Sequence, residues 1–402
     1  MKPSILFSLL CIALAPAALA QLAVPSDGSD GALIVSSNTV IDLSQAVTGS
    51  WDANNSDHAG SGIYDSNQWA VVFKYSSVTL YANRDTNGTL TGNNVTFINH
   101  PSHAPVIWLV QGNVAINGNL NLNGQPGTSA TPQQYFPAEP GPGGFRGGAS
   151  GPLGTGSGYG PGGGMAGIGL GSSGSYAGAY GNPQILPLIG GSGSAGVSGG
   201  FSGTYSGSAG GGAILIVAGG NVSVSGSITA NGGSIGSANG SGGAIRIVAD
   251  QILGNGTIDA SLPAGAPGRT RMEANFLSPQ LTIFPNAIAV PPTKTPVIFP
   301  ATNAPAVSLV SVDGQPAPAD PTAPLSSTAD LRIQNPNPVN LIFQTRNLPI
   351  QGTVSVRVTP KYGPTTILTA TNVSGDINQA LCQATAHLPE GFCVIQARAT
   401  AP

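Results

Sequence analysis

The sequence predicts an all-β chain: a three-sided parallel β-helix with a glycine-rich insertion, followed by a small immunoglobulin-like β-sandwich. Three observations carry this expectation. Residues 211–233 (GGAILIVAGGNVSVSGSITANGG) and 242–261 (GGAIRIVADQILGNGTIDAS) repeat one pattern, echoed at 106–124, and short β-branched runs at a fixed period bury their apolar face only when neighbours stack on them. Each repeat divides into three strands broken by glycine or a turn residue: 213–218, 221–225 and 227–230 in one, 244–249, 251–253 and 257–260 in the other. Further on, short alternating runs at 329–333, 339–345, 353–359, 366–370 and 392–398 are separated by turn residues, the spacing of a small antiparallel sandwich.

Taken in chain order, residues 1–20 have Lys2, the apolar core ILFSLLCIALA and a small-residue end, Ala18-Leu19-Ala20, before Gln21. That is the layout of a cleaved secretory signal, so a secreted or cell-surface chain starting at Gln21 is expected. No other apolar run is long enough to cross a bilayer as a helix. A first rung is read at 32–47 and a looser turn at 68–83 with 94–99, so that the β-helix occupies 21–275. Its insertion, about 125–208, is rich in Gly, Ser, Pro and Tyr. Such composition fits a flexible linker, but the apolar stretch Gln184-Ile185-Leu186-Pro187-Leu188-Ile189 fits a segment folded back on a flank of the helix. A proline-rich linker is expected at 276–328 and the sandwich at 329–402.

Period-two alternation assigns faces. Arg246 would be expensive to bury unpaired, so it points outward with its counterpart Leu215, and Ile214, Ile216, Ile245 and Ile247 point inward. The same register stacks Val114 with Val222, and Leu120 with Ile228 and Ile258.

Composition narrows the function. Charged residues make up 7% of the chain, the net charge is −3 and glycine supplies 59 of 402 residues. No basic cluster exists to hold nucleic acid or an anionic membrane. Cys382 and Cys393, a pair in an exported chain, are expected to form a disulfide, while Cys11 leaves with the signal.

Candidate chemistry is thin. Between 101 and 300 the acids are Glu139, Asp250, Asp259 and Glu273, and hydrolysis of a polysaccharide on a β-helix needs two carboxylates, or a base with calcium, converging on one face. Asp250 and Asp259 share one coil, but Asp is also a common turn former. Asp52, Asn54, Asp57 and Asp65 in the polar stretch 48–65 offer hard oxygens for Ca²⁺, against an ordinary polar loop with Asx turns. His58 beside them lacks a nucleophile motif. Trp51, Tyr64, Trp69, Tyr75 and Tyr81 offer rings for a sugar-stacking strip, although Trp69, Phe73 and Tyr75 alternate as core residues do. The Asn-x-Ser/Thr sites, including Asn87, Asn94 and Asn255, follow from composition. The glycine runs match neither a P-loop nor a dinucleotide fingerprint, so no catalytic or cofactor-binding residue is assigned.

The runs GPGGFRGG at Gly141, YGNPQILPLIGGSG at Tyr180, GGGAILIVA at Gly210 and GSGGAIRIVAD at Gly240 resemble a group of glycine-rich exported bacterial proteins without an assigned activity. The likeness spans residues 31–274. It implies a secreted or surface-associated β-helix and carries no catalytic residue across. A C-terminal membrane barrel, as in autotransporters, is not expected. The reading that follows is a structural or adhesive protein without catalytic activity, with an extracellular polysaccharide or cell-surface component as partner. The alternative is a carbohydrate-binding or polysaccharide-degrading β-helix protein.

Overall fold

The computed structural model describes residues 22–52, 60–84, 90–92, 94–129, 137–151, 154–164, 172–173, 177–178, 180–198, 204–261, 266–317, 331–334, 338–349, 351–360, 364, 366–391 and 393–400. Residues 1–20, read as a secretory signal, lie outside them, as do Asn54, Asp57, His58 and Asn87.

The described chain is nearly all β. From Ala32 to Val290 most strands enter three sheets in rotation, with short two-stranded pairs such as Ala82–Arg84 and Leu90–Gly92 outside them. The first sheet runs Ala32–Val35, Ser77–Leu80, Val114–Ile116, Val222–Val224, Gln251–Gly254, Phe276–Leu277. The second runs Thr39–Asp42, Asn94–Ile98, Asn119–Asn121, Ser227–Thr229, Thr257–Asp259, Thr282–Phe284. The third holds Ala70–Tyr75, Val106–Val110, Ala213–Ala218, Ala244–Val248, Arg269–Glu273 and Ile288–Val290 in parallel, with Ile63–Asp65 antiparallel to Ala70–Tyr75 and Val47–Thr48 outside it.

Register follows the apolar columns. Val78, Val114, Val222 and Ile252 align in the first sheet, and Val95, Leu120, Ile228, Ile258 and Ile283 in the second. Ile214 and Ile216 lie beside Ile245 and Ile247 in the third, and all four belong to one core cluster shared with residues of the first two sheets. Strands of the first two sheets bury one face only, as the alternating pattern at Val222–Val224 shows.

The third sheet is different: every residue of Val106–Val110, Ala213–Ala218 and Ala244–Val248 is buried. A parallel strand covered on both faces reads as a continuous apolar run, and these do. Their outer face, with Leu109, Leu215 and Val248, packs against Ile185 and Leu188 of the insertion and Ile298 from the chain beyond the last circuit. The insertion therefore folds back on a flank.

Arginines fasten these coverings. Arg246, on the outer face as expected, is buried beneath them. Its Nε and Nη2 donate to Glu273 Oε1 at 2.8 and 2.7 Å, and its Nη1 donates to the Val297 carbonyl at 2.8 Å. Arg271 Nε donates to the same Glu273 oxygen at 2.8 Å. Arg269 donates to the Ile189 carbonyl at 2.6 Å and lies 5.4 Å from the centroid of the Tyr180 ring. Burial lowers the pKa of both Arg246 and Arg269, and the Glu273 charge opposes this at Arg246.

Within the insertion, three extended segments around residues 145–148, 191–194 and 207–211 bond to one another through their backbones. Phe145 N donates to Gly191 O, Gly191 N to Gly211 O and Gly210 N to Phe145 O; a level further along, Gly148 N donates to Ser194 O, Ser194 N to Ser208 O and Gly207 N to Gly148 O. A flat sheet cannot close such a triangle. It closes here because the segments touch backbone to backbone: a Cβ on Gly147 would lie 1.9 Å from the Gly207 carbonyl oxygen, and one on Gly210 would lie 1.9 Å from that of Gly191. Glycine at these contacts satisfies buried amides while leaving no side chain to accommodate.

The region 276–328, read as a linker, carries the last strands of all three parallel sheets and the strand Ala306–Val312. After residue 300 the strands form one antiparallel sheet in the order Gln315–Pro316, Ala306–Val312, Val339–Arg346, Gln379–Ala386, Thr366–Gly375, Thr353–Pro360, Cys393–Thr400. Thr366–Gly375 pairs with Thr353–Pro360 through its first half and with Gln379–Ala386 through its second, so the sheet curls around Leu341, Phe343, Val356 and Ala384. In place of two separate sandwich sheets there is one curled sheet. Residues 331–333 are not in a strand.

The expected Cys382–Cys393 disulfide is not formed, and both thiols are free. The strands holding them are separated by two others in the sheet. Cys382 sits opposite Phe343 and Asn372, and Cys393 opposite Pro360. Closeness in sequence does not bring them together.

Candidate functional site

Where the insertion leaves the parallel sheets, a cavity of about 530 Å³ opens between the end of Asn94–Ile98, the end of Asn119–Asn121 and residues 139–146. Three contacts hold its walls. Gln125 N donates to Glu139 O at 2.8 Å, Asn99 Nδ2 donates to Pro140 O at 2.8 Å and Gly143 N donates to His103 O at 2.8 Å. His103 closes a turn by donating its N–H to His100 O and has φ 53°, a left-handed backbone that L-residues adopt only where surroundings enforce it.

The polar groups of the cavity are nearly neutral in sum. Arg146 Nη2 lies 2.7 Å from Glu139 Oε1. These are the only charged residues between 101 and 245, and the fold brings them together at this one place. His100 stacks on Tyr64 with ring centroids 3.9 Å apart, and its Nδ1 lies 2.8 Å from Ser102 Oγ. Burial pushes the His100 imidazole below its ordinary pKa, so it is neutral at pH 7. Asn99 Oδ1, an acceptor, and Arg146 Nε, a donor, are buried without a hydrogen-bond partner among the described residues. Buried polar atoms are rarely left unmatched, and these two lie beneath the cavity surface rather than facing its space.

The cavity continues onto the outer face of the second sheet. Asn119 Nδ2 donates to Asn94 Oδ1 at 3.0 Å and Ser227 Oγ to Asn119 Oδ1 at 2.8 Å. Asn231 bridges two circuits, its N–H donating to Asn123 Oδ1 at 2.7 Å and its amide to Asp259 Oδ2 at 3.0 Å. Adjacent parallel strands lie about 4.8 Å apart, so this face is a regular ladder of amides and hydroxyls with one carboxylate.

Most residues singled out from the sequence lie elsewhere. Asp259 also accepts from Ser261, and Asp250 accepts from Asn275 Nδ2 at 2.8 Å. They stand on different sides of the stack, each held by a neighbouring circuit. Asp65 is buried and spent on backbone amides: Oδ1 accepts from Asn67 and Gln68, and Oδ2 from Trp51. Asp52 is exposed and accepts from Ser50 Oγ. With Asn54 and Asp57 outside the described residues, the calcium quartet is described only through Asp52 and Asp65. The aromatic residues are dispersed: Tyr75 lies in the core between Phe73 and Trp108, Trp51 packs on Phe299, Trp69 donates its Nε1–H to Ser102 O, and Tyr81 is exposed. Tyr64 alone touches the cavity wall, through His100.

Searches against family models, curated proteins and solved structures returned no match for this chain. The reading of the site rests on its geometry.

Proposed function

We propose that this chain is a secreted, non-catalytic adhesive protein, a three-sided parallel β-helix that holds a neutral polyhydroxyl chain such as an extracellular polysaccharide. The three parallel sheets visited in rotation are what such a helix requires, and export rests on the leader-like residues 1–20. The observation that carries the ligand class is the cavity lining, in which the neutral polar residues Thr96, Asn99, Asn121, Asn123 and Gln125 surround one self-neutralised ion pair, Arg146 and Glu139. Hydroxyl groups match side-chain amides and hydroxyls, because each can donate and accept. An anion would meet Glu139, and a cation Arg146. The amide and hydroxyl ladder beyond the cavity extends the same chemistry over several sugar lengths.

Catalysis is disfavoured by the same wall. Glycoside hydrolysis needs two carboxyl groups about 5–10 Å apart, whereas Glu139 is the one carboxylate among the cavity's lining residues and Arg146 neutralises it. The test is a glycan array with the mature chain, accompanied by a reducing-end assay. Binding of a neutral glycan that falls at least tenfold in Arg146→Met, without release of reducing ends, supports the reading. Binding indifferent to that substitution, or cleavage of the glycan, overturns it.

A further inference from the structure

The last circuit of the parallel sheets is an open end. Its inward residues Leu277 and Ile283 are only partly buried, whereas Ile252 and Ile258, one circuit earlier, are fully buried. Outside, Phe276 and Phe284 are 49% and 51% exposed. Residues 274–293 contain no charged side chain, although exposed strand edges are ordinarily protected by charge, by proline within the strand, or by a cover. Among the described residues no segment is packed over these edges. After Val290 the chain turns back over the third sheet, with Lys294 O accepting from Ala23 N and Phe299 packing on Trp51.

The first circuit carries the matching surface. Ile34 and Val40, on the outer faces of the first and second sheets, are 65% and 58% exposed. Followed across the second sheet, the outward column reads Val40 and Thr96, then Asn121, Thr229, Asp259 and Phe284. It is polar in the middle and apolar at both ends. In the first sheet the apolar outward residues of the terminal circuits are Ile34 at one end and Phe276, which follows Gln251, at the other. A solvated face has no reason to concentrate its apolar residues in the terminal circuits. A face continued by another copy does.

We propose that copies of this chain stack end to end, the last circuit of one pairing with the first circuit of the next. The open edges Phe276–Leu277 and Thr282–Phe284 belong to the same two sheets, and run in the same direction, as the open edges Ala32–Val35 and Thr39–Asp42. Continuing the register that adds each circuit to its predecessor sets Leu277 on Leu33, Ile283 on Thr39 and Phe284 beside Val40 of the next copy. Two different surfaces meet, so the contact does not close on itself and the product is a rod.

The experiment is sedimentation velocity over a concentration series with negative-stain microscopy, on the mature chain and on Phe284→Lys and Val40→Lys. Both substituted residues are exposed, and circular dichroism checks that the fold is kept. The wild type is expected to grow past the dimer into rods, and each variant to stay monomeric. An equimolar mixture of the two variants restores a dimer and nothing longer, because each retains the surface the other has lost. A wild type that is monomeric throughout overturns the proposal, as do rods that persist in both variants. So does a dimer lost in Phe284→Lys but kept in Val40→Lys, which would mean two last circuits meeting each other.

Discussion

Glu273 accepts through a single oxygen from Arg246 and Arg271, and the side chains of Glu273 and Arg246 are only 5% and 4% exposed. Removing one partner of a buried ion pair leaves an uncompensated charge, so Glu273→Gln is expected to cost about 3–5 kcal/mol. Urea unfolding of the variant measures it. A loss below about 1 kcal/mol would mean that water reaches the arginines. His100 gives a residue-scale pH dependence. Burial holds its folded pKa below the ordinary 6.5, so the unfolded chain takes up the proton first as pH falls. The contribution to stability is complete above pH 6.5 and declines as pH drops toward the folded value. Urea midpoints measured over this range should fall with acidification in the wild type, and His100→Gln should flatten that part of the slope.

At the scale of elements, the inward and outward faces around Arg246 were legible from alternation and the cost of burying a charge. The double-sided cover of the third sheet was written in the sequence too, as the unbroken apolar runs 106–110 and 213–218, but alternation alone does not weigh continuity. Gln379–Ala386 escaped notice because it alternates Gln and Thr with Ala and Cys rather than with β-branched residues. Ala306–Val312 escaped because its alternation is broken by an irregularity between Leu309 and Ser311 and prolines surround it. The cavity could not be seen, since residues 96–100 and 139–146 meet only after the insertion folds. Its one trace was the isolated charge pair Glu139 and Arg146. Close backbone packing was visible only as composition, and it yields a prediction. A Cβ on Gly243 would lie 1.8 Å from Gly212 O, while one on Gly49 would meet nothing nearer than Ile63 Cγ2 at 3.8 Å. Gly243→Ala should destabilise by about 3 kcal/mol or more, and Gly49→Ala by no more than about 0.5 kcal/mol, as read from denaturant midpoints. Equal effects would contradict the close-packed account of the glycines.

For the whole molecule, three largely parallel sheets share one core, and the insertion and the returning chain cover one of them. The second sheet keeps its outer face of amides and hydroxyls, and the cavity opens at its end. That division of labour is the central claim, and hydrogen exchange of the mature chain with and without its array-identified glycan tests it most directly. The account predicts slowed exchange at residues 96–100, 121–125 and 139–146 when glycan is present, with residues 339–400 unchanged. Protection confined to 339–400, with the cavity segments exchanging as before, would contradict it.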